Sequence, residues 1–190
     1  MGPVAGAERY VGRLLVAAPS LTEGEFRRSV VLVLDHDGSG ALGVVVNRPL
    51  PVRVDAVLPP WQAHVTEPAR LFRGGPVALD SALGLVVVPG DAPEPAGVRR
   101  IIGALGLVDL DAAPEEVSRS ASGLRIFAGY AGWSPGQLEG EVAGGSWLVL
   151  DAEPSDAVTP RPEELWAAVL RRQPGRLALL ASFPEDVALN

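Results

Sequence analysis

The 190-residue chain has no cysteine and no lysine, and all 16 of its basic residues are arginine. Without cysteine there is no disulfide, thiolate nucleophile, iron–sulfur cluster or cysteine-ligated zinc. Without lysine there is no Walker A lysine, Schiff base or Ser-Lys dyad. Arginine in place of lysine, beside abundant Ala, Gly, Val and Pro, reads as the footprint of a GC-rich genome rather than of a function. Histidine is scarce, with only His36 and His64. A metal site would therefore rest on carboxylates; none is expected, and no cofactor signature is present.

Positive charge is also short, since the formal net charge is −7. A sequence-independent nucleic-acid binder needs a basic stripe to displace phosphate counterions. The arginine doublets Arg27-Arg28, Arg99-Arg100 and Arg171-Arg172 lie far apart, so nucleic acid is disfavoured as a partner. Long apolar runs are missing too: no stretch approaches the roughly 18–20 residues that span a bilayer, and no membrane association is expected. Residues 14–18 are apolar, but Arg13 and Pro19 bound them and Glu8 precedes them, which is too short for a signal-peptide core. Gly6 stands where N-myristoylation wants Ser or Thr. A cytoplasmic protein is expected. Nothing in the sequence specifies an oligomeric state.

What is present is an ordinary globular composition, 47% hydrophobic and 21% charged, long enough for one well-buried domain. The domain is read over residues 1–190, with 1–9 as a flexible N-terminus. Short β-branched or apolar runs at 13–17, 30–35, 42–46 and 85–88 are bounded by Gly, Pro, Asn or Asp and read as strands. Two more short strands fit within 99–110, a buried strand at 124–132 and another at 147–150. Helical patterns occupy 114–120, about 134–142, 163–172 and a last turn at 177–181. In the second of these, Ser134 is placed to cap, with Pro135 at the first helical position and Gln137 as capping-box partner. Strands first and helices later give an α+β fold with a mixed or antiparallel sheet.

Several motifs invite chemistry. Gly38-Ser39-Gly40-Ala41-Leu42-Gly43 matches G-x-G-x-x-G, but a dinucleotide site needs a helix after it. Val44-Val45-Val46 follows instead, so a hairpin turn between two antiparallel strands is expected. Asp35-His36-Asp37 could supply a base or metal ligands, yet neighbours on a strand face opposite ways, and Asp beside a turn is commonly a turn stabiliser. His36 is the better histidine for chemistry; His64 reads as solvated. Asn47-Arg48-Pro49 and Arg73-Gly74-Gly75-Pro76 each put arginine at the end of a β-like run, where a guanidinium and free N–H groups can hold a carboxylate or phosphate. A surface ion pair is the competing reading for each. Tyr130 and Trp133 precede the helix start at Ser134, where they either wall an anion site or simply pack.

These stretches together resemble the AlgH/YqgE family. Phe26-Arg27-Arg28-Ser29-Val30-Val31, His36, Gly40-Ala41-Leu42-Gly43 and Val46-Asn47-Arg48-Pro49 look like its N-terminal signature. Gly74-Gly75-Pro76-Val77 resembles its middle motif. Gly129-Tyr130-Ala131-Gly132-Trp133, Gly136-Gln137-Leu138-Glu139 and Trp147-Leu148 resemble its most distinctive one. The resemblance implies a compact single domain with a bent, barrel-like sheet and helices packed outside. It also brings the label of transcriptional regulator, although nothing here resembles a helix-turn-helix. No catalytic residues come with it.

Three functions compete. The first is a binding or regulatory module for a small anionic ligand or protein partner, using Asn47, Arg48, Arg73, Gly74, Gly75, Tyr130 and Trp133. The second is an enzyme with His36 as base and Arg48 as anion stabiliser. The third is a transcriptional regulator. A convergent polar cleft with His36 pointing into it would favour the enzyme, and a shallow apolar patch the binding module; the deciding observation is whether His36, Arg48, Arg73 and Trp133 share one concave surface.

Overall fold

The structure is a computed structural model and describes residues 10–185; the flexible terminus expected at 1–9 lies outside them. Three strands open the fold as an antiparallel meander: β1 (Arg13–Ala17), β2 (Val30–Asp37) and β3 (Gly40–Val45). β4 (Pro49–Arg53) and β5 (Arg70–Arg73) form a side ladder, followed by β6 (Val77–Val87), β7 (Val98–Ile102), β8 (Leu105–Val108), β9 (Gly123–Trp133) and β10 (Trp147–Asp151). Their spatial order is β10-β1-β2-β3-β9-β6-β8-β7, and β5 joins β9 in the fold's parallel pairing. The sheet curls until Ile102 of β7 packs on Gly12, just ahead of β1. The result is a half-barrel α+β domain.

Its strands read as continuous apolar runs because both faces of the sheet are covered. The period-2 alternation sends Leu14, Val16, Leu32, Val44, Leu85 and Phe127 to the inner core, to which α3 (Leu165–Arg171) adds Trp166, Val169 and Leu170. The opposite set, Leu15, Ala17, Val31, Val33 and Val45, packs with Trp133 and Trp147 under Leu138 of α2 (Gln137–Ala143). A third cluster joins Val86, Val88, Leu124 and Ile126 to Trp61 and to Val117 of α1 (Pro114–Ser118). A last helix, α4 (Arg176–Leu179), follows α3.

β9 holds the fold together. Its first half pairs with β5 and β6, and its last three residues pair with β3. The handover is at Gly129, whose φ of 71° favours glycine. A Cβ there would meet the carbonyls of Gly75 and Val77 at 2.8 Å. Gly74 and Gly75 cross this same bend so closely that side chains on them would collide with the Gly129 and Tyr130 backbone.

The expected hairpin at 38–43 is present, with Asp37 opposite Gly40. β4 and β5 escaped detection because one is rich in proline and the other is four residues long. Ser134 does not cap α2. The helix begins at Gln137 behind Gly136 at φ 77°, and no side chain caps it. Only half of the expected reciprocity survives, in the Ser134 N–H donating to Gln137 Oε1 at 3.0 Å.

Candidate functional site: an arginine rim at the β3–β5 end

The chain between β1 and β2 ends in a strained turn. Arg28 has φ 53°, a left-handed conformation that a non-glycine residue holds at a cost of roughly 1–3 kcal/mol. Asn47, 4% exposed, fixes that turn: its Oδ1 accepts from the Val30 N–H at 3.0 Å and its Nδ2 donates to the Arg28 carbonyl at 2.9 Å. Both faces of the amide are thereby occupied, which makes Asn47 a positioning residue rather than a ligand contact.

Arg48 follows directly. Its guanidinium donates to the Arg27 carbonyl and, at 3.4 Å, to Ser29 Oγ. Burial holds its pKa below the ordinary guanidinium value. The Arg73 N–H donates to the Arg48 carbonyl at 2.8 Å, which sets the two arginines side by side. Both face a hollow of about 230 Å³ floored by Val45 and walled by Phe26 and Gly75. Arg73 pairs there with Glu25 at 2.6 Å. Behind Arg48 a second hollow, about 350 Å³, is lined by Arg27, Arg28, Glu25 and Glu185. Four guanidiniums thus gather at one rim of an acidic chain, with two carboxylates among them.

The other sequence candidates fall elsewhere. Tyr130 packs toward the inner core, whereas Trp133, an odd number of residues on, packs in the outer cluster; the two do not form one wall. Trp133 reaches the arginine hollow only through Phe26, which stacks on it with ring centroids 6.5 Å apart. Its Nε1 and that of Trp147 both donate to Glu141, at 2.9 and 2.8 Å. Gly74 and Gly75 are there for the close backbone crossing, although Gly75 also lines the hollow.

His36 is 2% exposed, stacks on Tyr10 at 5.1 Å and pairs through Nε2 with Glu139 at 2.7 Å. It sits opposite Ala41 near the start of β3, while Arg48 lies beyond that strand's other end. The strand residues 41–45 that lie between them extend roughly 13 Å, so no centre combines them. The flanking carboxylates diverge as strand alternation requires: Asp35 and Asp37 are exposed, and Asp37 receives the Ser39 N–H at 2.7 Å as a turn stabiliser. His64 is held rather than merely solvated, with Nδ1 3.0 Å from Ser118 Oγ.

Sequence reasoning passed over Glu25, Phe26 and Glu141. A signal existed for the last, because buried tryptophans require acceptors for their N–H groups. Glu25 and Phe26 acquire their roles only from the path of the loop.

Fold and rim together define a half-barrel α+β domain carrying a cationic hollow. The chain belongs to the AlgH-like family, whose profile matches residues 14–178. It is 56% identical to a UPF0301 protein of Streptomyces coelicolor over 182 residues, 94% of each chain. A UPF0301 protein of Nocardia farcinica is 48% identical over 189 residues, 97% of this chain and 88% of the relative. Among solved structures, the crystal structure of protein DIP2367 from Corynebacterium diphtheriae superposes with a TM-score of 0.86 at 38% identity, covering 96% of this chain and 95% of that one. The solution structure of the AlgH protein from Pseudomonas aeruginosa gives a TM-score of 0.67 at 26% identity, covering 96% and 97%.

Proposed function

We propose that this protein is a binding module that accepts a small anion, or a carboxylate of a protein partner, between Arg48 and Arg73. One observation carries the reading: the two guanidiniums open on a single hollow, and a carboxylate of the chain itself, Glu25, already pairs with Arg73 at 2.6 Å. Carboxylate is therefore the chemistry the site accepts, and Glu25 is a displaceable stand-in on an exposed loop. Charge-assisted hydrogen bonds of this kind contribute about 1.5–3 kcal/mol each. The floor of Val45 and Phe26 excludes water from one side of the bound group.

Titration with succinate and with inorganic phosphate tests this, followed by Trp fluorescence through the Phe26–Trp133 stack and by amide shifts at 25–28, 48 and 73–75. Saturable binding is expected. Arg73→Ala should weaken it about tenfold to a hundredfold, and Glu25→Gln should tighten it by removing the internal competitor. Absence of any shift at millimolar ligand in both wild type and Glu25→Gln would overturn the small-anion reading and leave a protein carboxylate as the occupant to test.

A further inference from the structure

The mouth of the curled sheet holds a third hollow, of about 600 Å³, within the roughly 300–1,000 Å³ of small-molecule sites. Its apolar wall comes from five strands: Leu34 of β2, Leu42 of β3, Leu83 of β6, Leu107 of β8 and Ile101 of β7. All five belong to the inner core or pack against it, so among the described residues the hollow is an open continuation of that core. β2 bulges between Val33 and Asp35, and β7 between Arg100 and Ile102, as strands at a barrel rim commonly do.

Two charges stand on the core-facing side of this mouth. Cross-strand partners share a sheet face. Arg99 lies opposite Leu107, and Asp35 opposite Leu42, and both leucines pack on the inner core. Arg99 and Asp35 line the hollow, yet among the described residues the side chain of neither makes a hydrogen bond or ion pair. Arg100 differs. Its guanidinium is pinned by the carbonyls of Val88, Gly103, Pro89 and Ala92 at 2.9–3.1 Å. The core-facing side of the mouth therefore presents one guanidinium, Arg99, and one carboxylate, Asp35, neither of them engaged by another described side chain.

We propose that this mouth binds an amphipathic carboxylate, its acyl chain along the leucine and isoleucine wall and its head group on Arg99. Asp35 stands across the opening, where it accepts a hydrogen bond from a hydroxyl or N–H beside the head and repels a bare second anion. The competing explanation is protective. β7 is an edge strand, and an inward-pointing charge is one way edges avoid pairing with other chains. That explanation gives no ligand affinity. The site is separate from the arginine rim, so Arg73→Ala leaves it intact.

The full chain is titrated with dodecanoate below its micelle concentration, with leucine and isoleucine methyl shifts as readout, and then with decanoate, octanoate and dodecylammonium. Saturable dodecanoate binding is expected, weakening about fourfold for each buried methylene removed. Arg99→Ala should lose tenfold or more while Asp35→Asn binds as well as wild type or better. Dodecylammonium should bind worse than dodecanoate. Failure of dodecanoate to saturate, equal binding of the ammonium, or an affinity unmoved by Arg99→Ala overturns the proposal. Self-association of Arg99→Ala with no ligand binding in wild type assigns Arg99 to edge protection instead.

Discussion

Arg125 carries a positive charge into the core of the fold. It is 1% exposed and lies on β9, where an apolar side chain would be ordinary. Its guanidinium donates to the carbonyls of Glu67 and Thr159, each at 2.8 Å, and of Ala157 at 3.4 Å, and it stacks over the Phe72 ring at 4.2 Å. Burial pushes its pKa down to about 10, with the charge of Glu163 pulling the other way, so it remains cationic at neutral pH. The planar fork explains the choice of arginine, because it reaches several carbonyls at once. Arg125→Leu removes the charge but takes the donor from the buried Ala157 carbonyl and from the partly buried Glu67 and Thr159 carbonyls, at roughly 1–3 kcal/mol for each one left unsatisfied. Urea denaturation of this variant should show a loss of about 2–5 kcal/mol. Asn47 illustrates the same point: a polar residue in a motif serves the backbone, holding the Val30 N–H and the Arg28 carbonyl.

At the scale of elements, α2 is attached to the sheet through Glu141. Its carboxylate accepts the indole N–H groups of Trp133 on β9 and Trp147 on β10, and the Gln137 side-chain amide at 2.9 Å. Burial acts to raise its pKa, but the donors from Trp147, Gln137 and Trp133 outweigh that and hold it below the ordinary value. A depressed carboxylate pKa contributes stability above the unfolded-state value near 4.3, and that contribution is lost as pH falls toward the folded-state value. Glu141→Gln should therefore lower Tm at pH 7, with the gap to wild type narrowing below about pH 4. A gap independent of pH would show that only shape matters at this contact. Phe26 leans on the same tryptophans at 5.6 and 6.5 Å, which links the α2 anchor to the arginine hollow.

For the whole molecule the issue is how charge is distributed. Arg27, Arg28, Arg48 and Arg73 gather at one rim, but Glu25 and Glu185 stand among them, and Arg28 is shared with Trp166 by a cation–π contact at 4.3 Å. A patch of this size neutralises few phosphates. Random-sequence duplex DNA at about 150 mM salt should bind no tighter than about 10⁻⁶ M, as measured by fluorescence anisotropy; submicromolar affinity would revive the regulator label. Among the described residues no helix is long and apolar enough to cross a membrane.

Most strand positions, the hairpin at 38–43 and the exclusion of cysteine and lysine chemistry were legible in residue order, because they depend on local alternation, glycine placement and composition; β4 and β5 were not. The pairing of Arg48 with Arg73 could only be suspected, since 25 positions separate them and a backbone bond joins them. Tertiary structure alone decided that Tyr130 and Trp133 part company across the sheet, that His36 is buried far from Arg48, and that the glycines of the middle motif serve a chain crossing. It also decided which side chains of five strands meet at the mouth of the inner core. Each of these depends on which distant strand a side chain meets once the sheet has curled, and no local propensity carries that information.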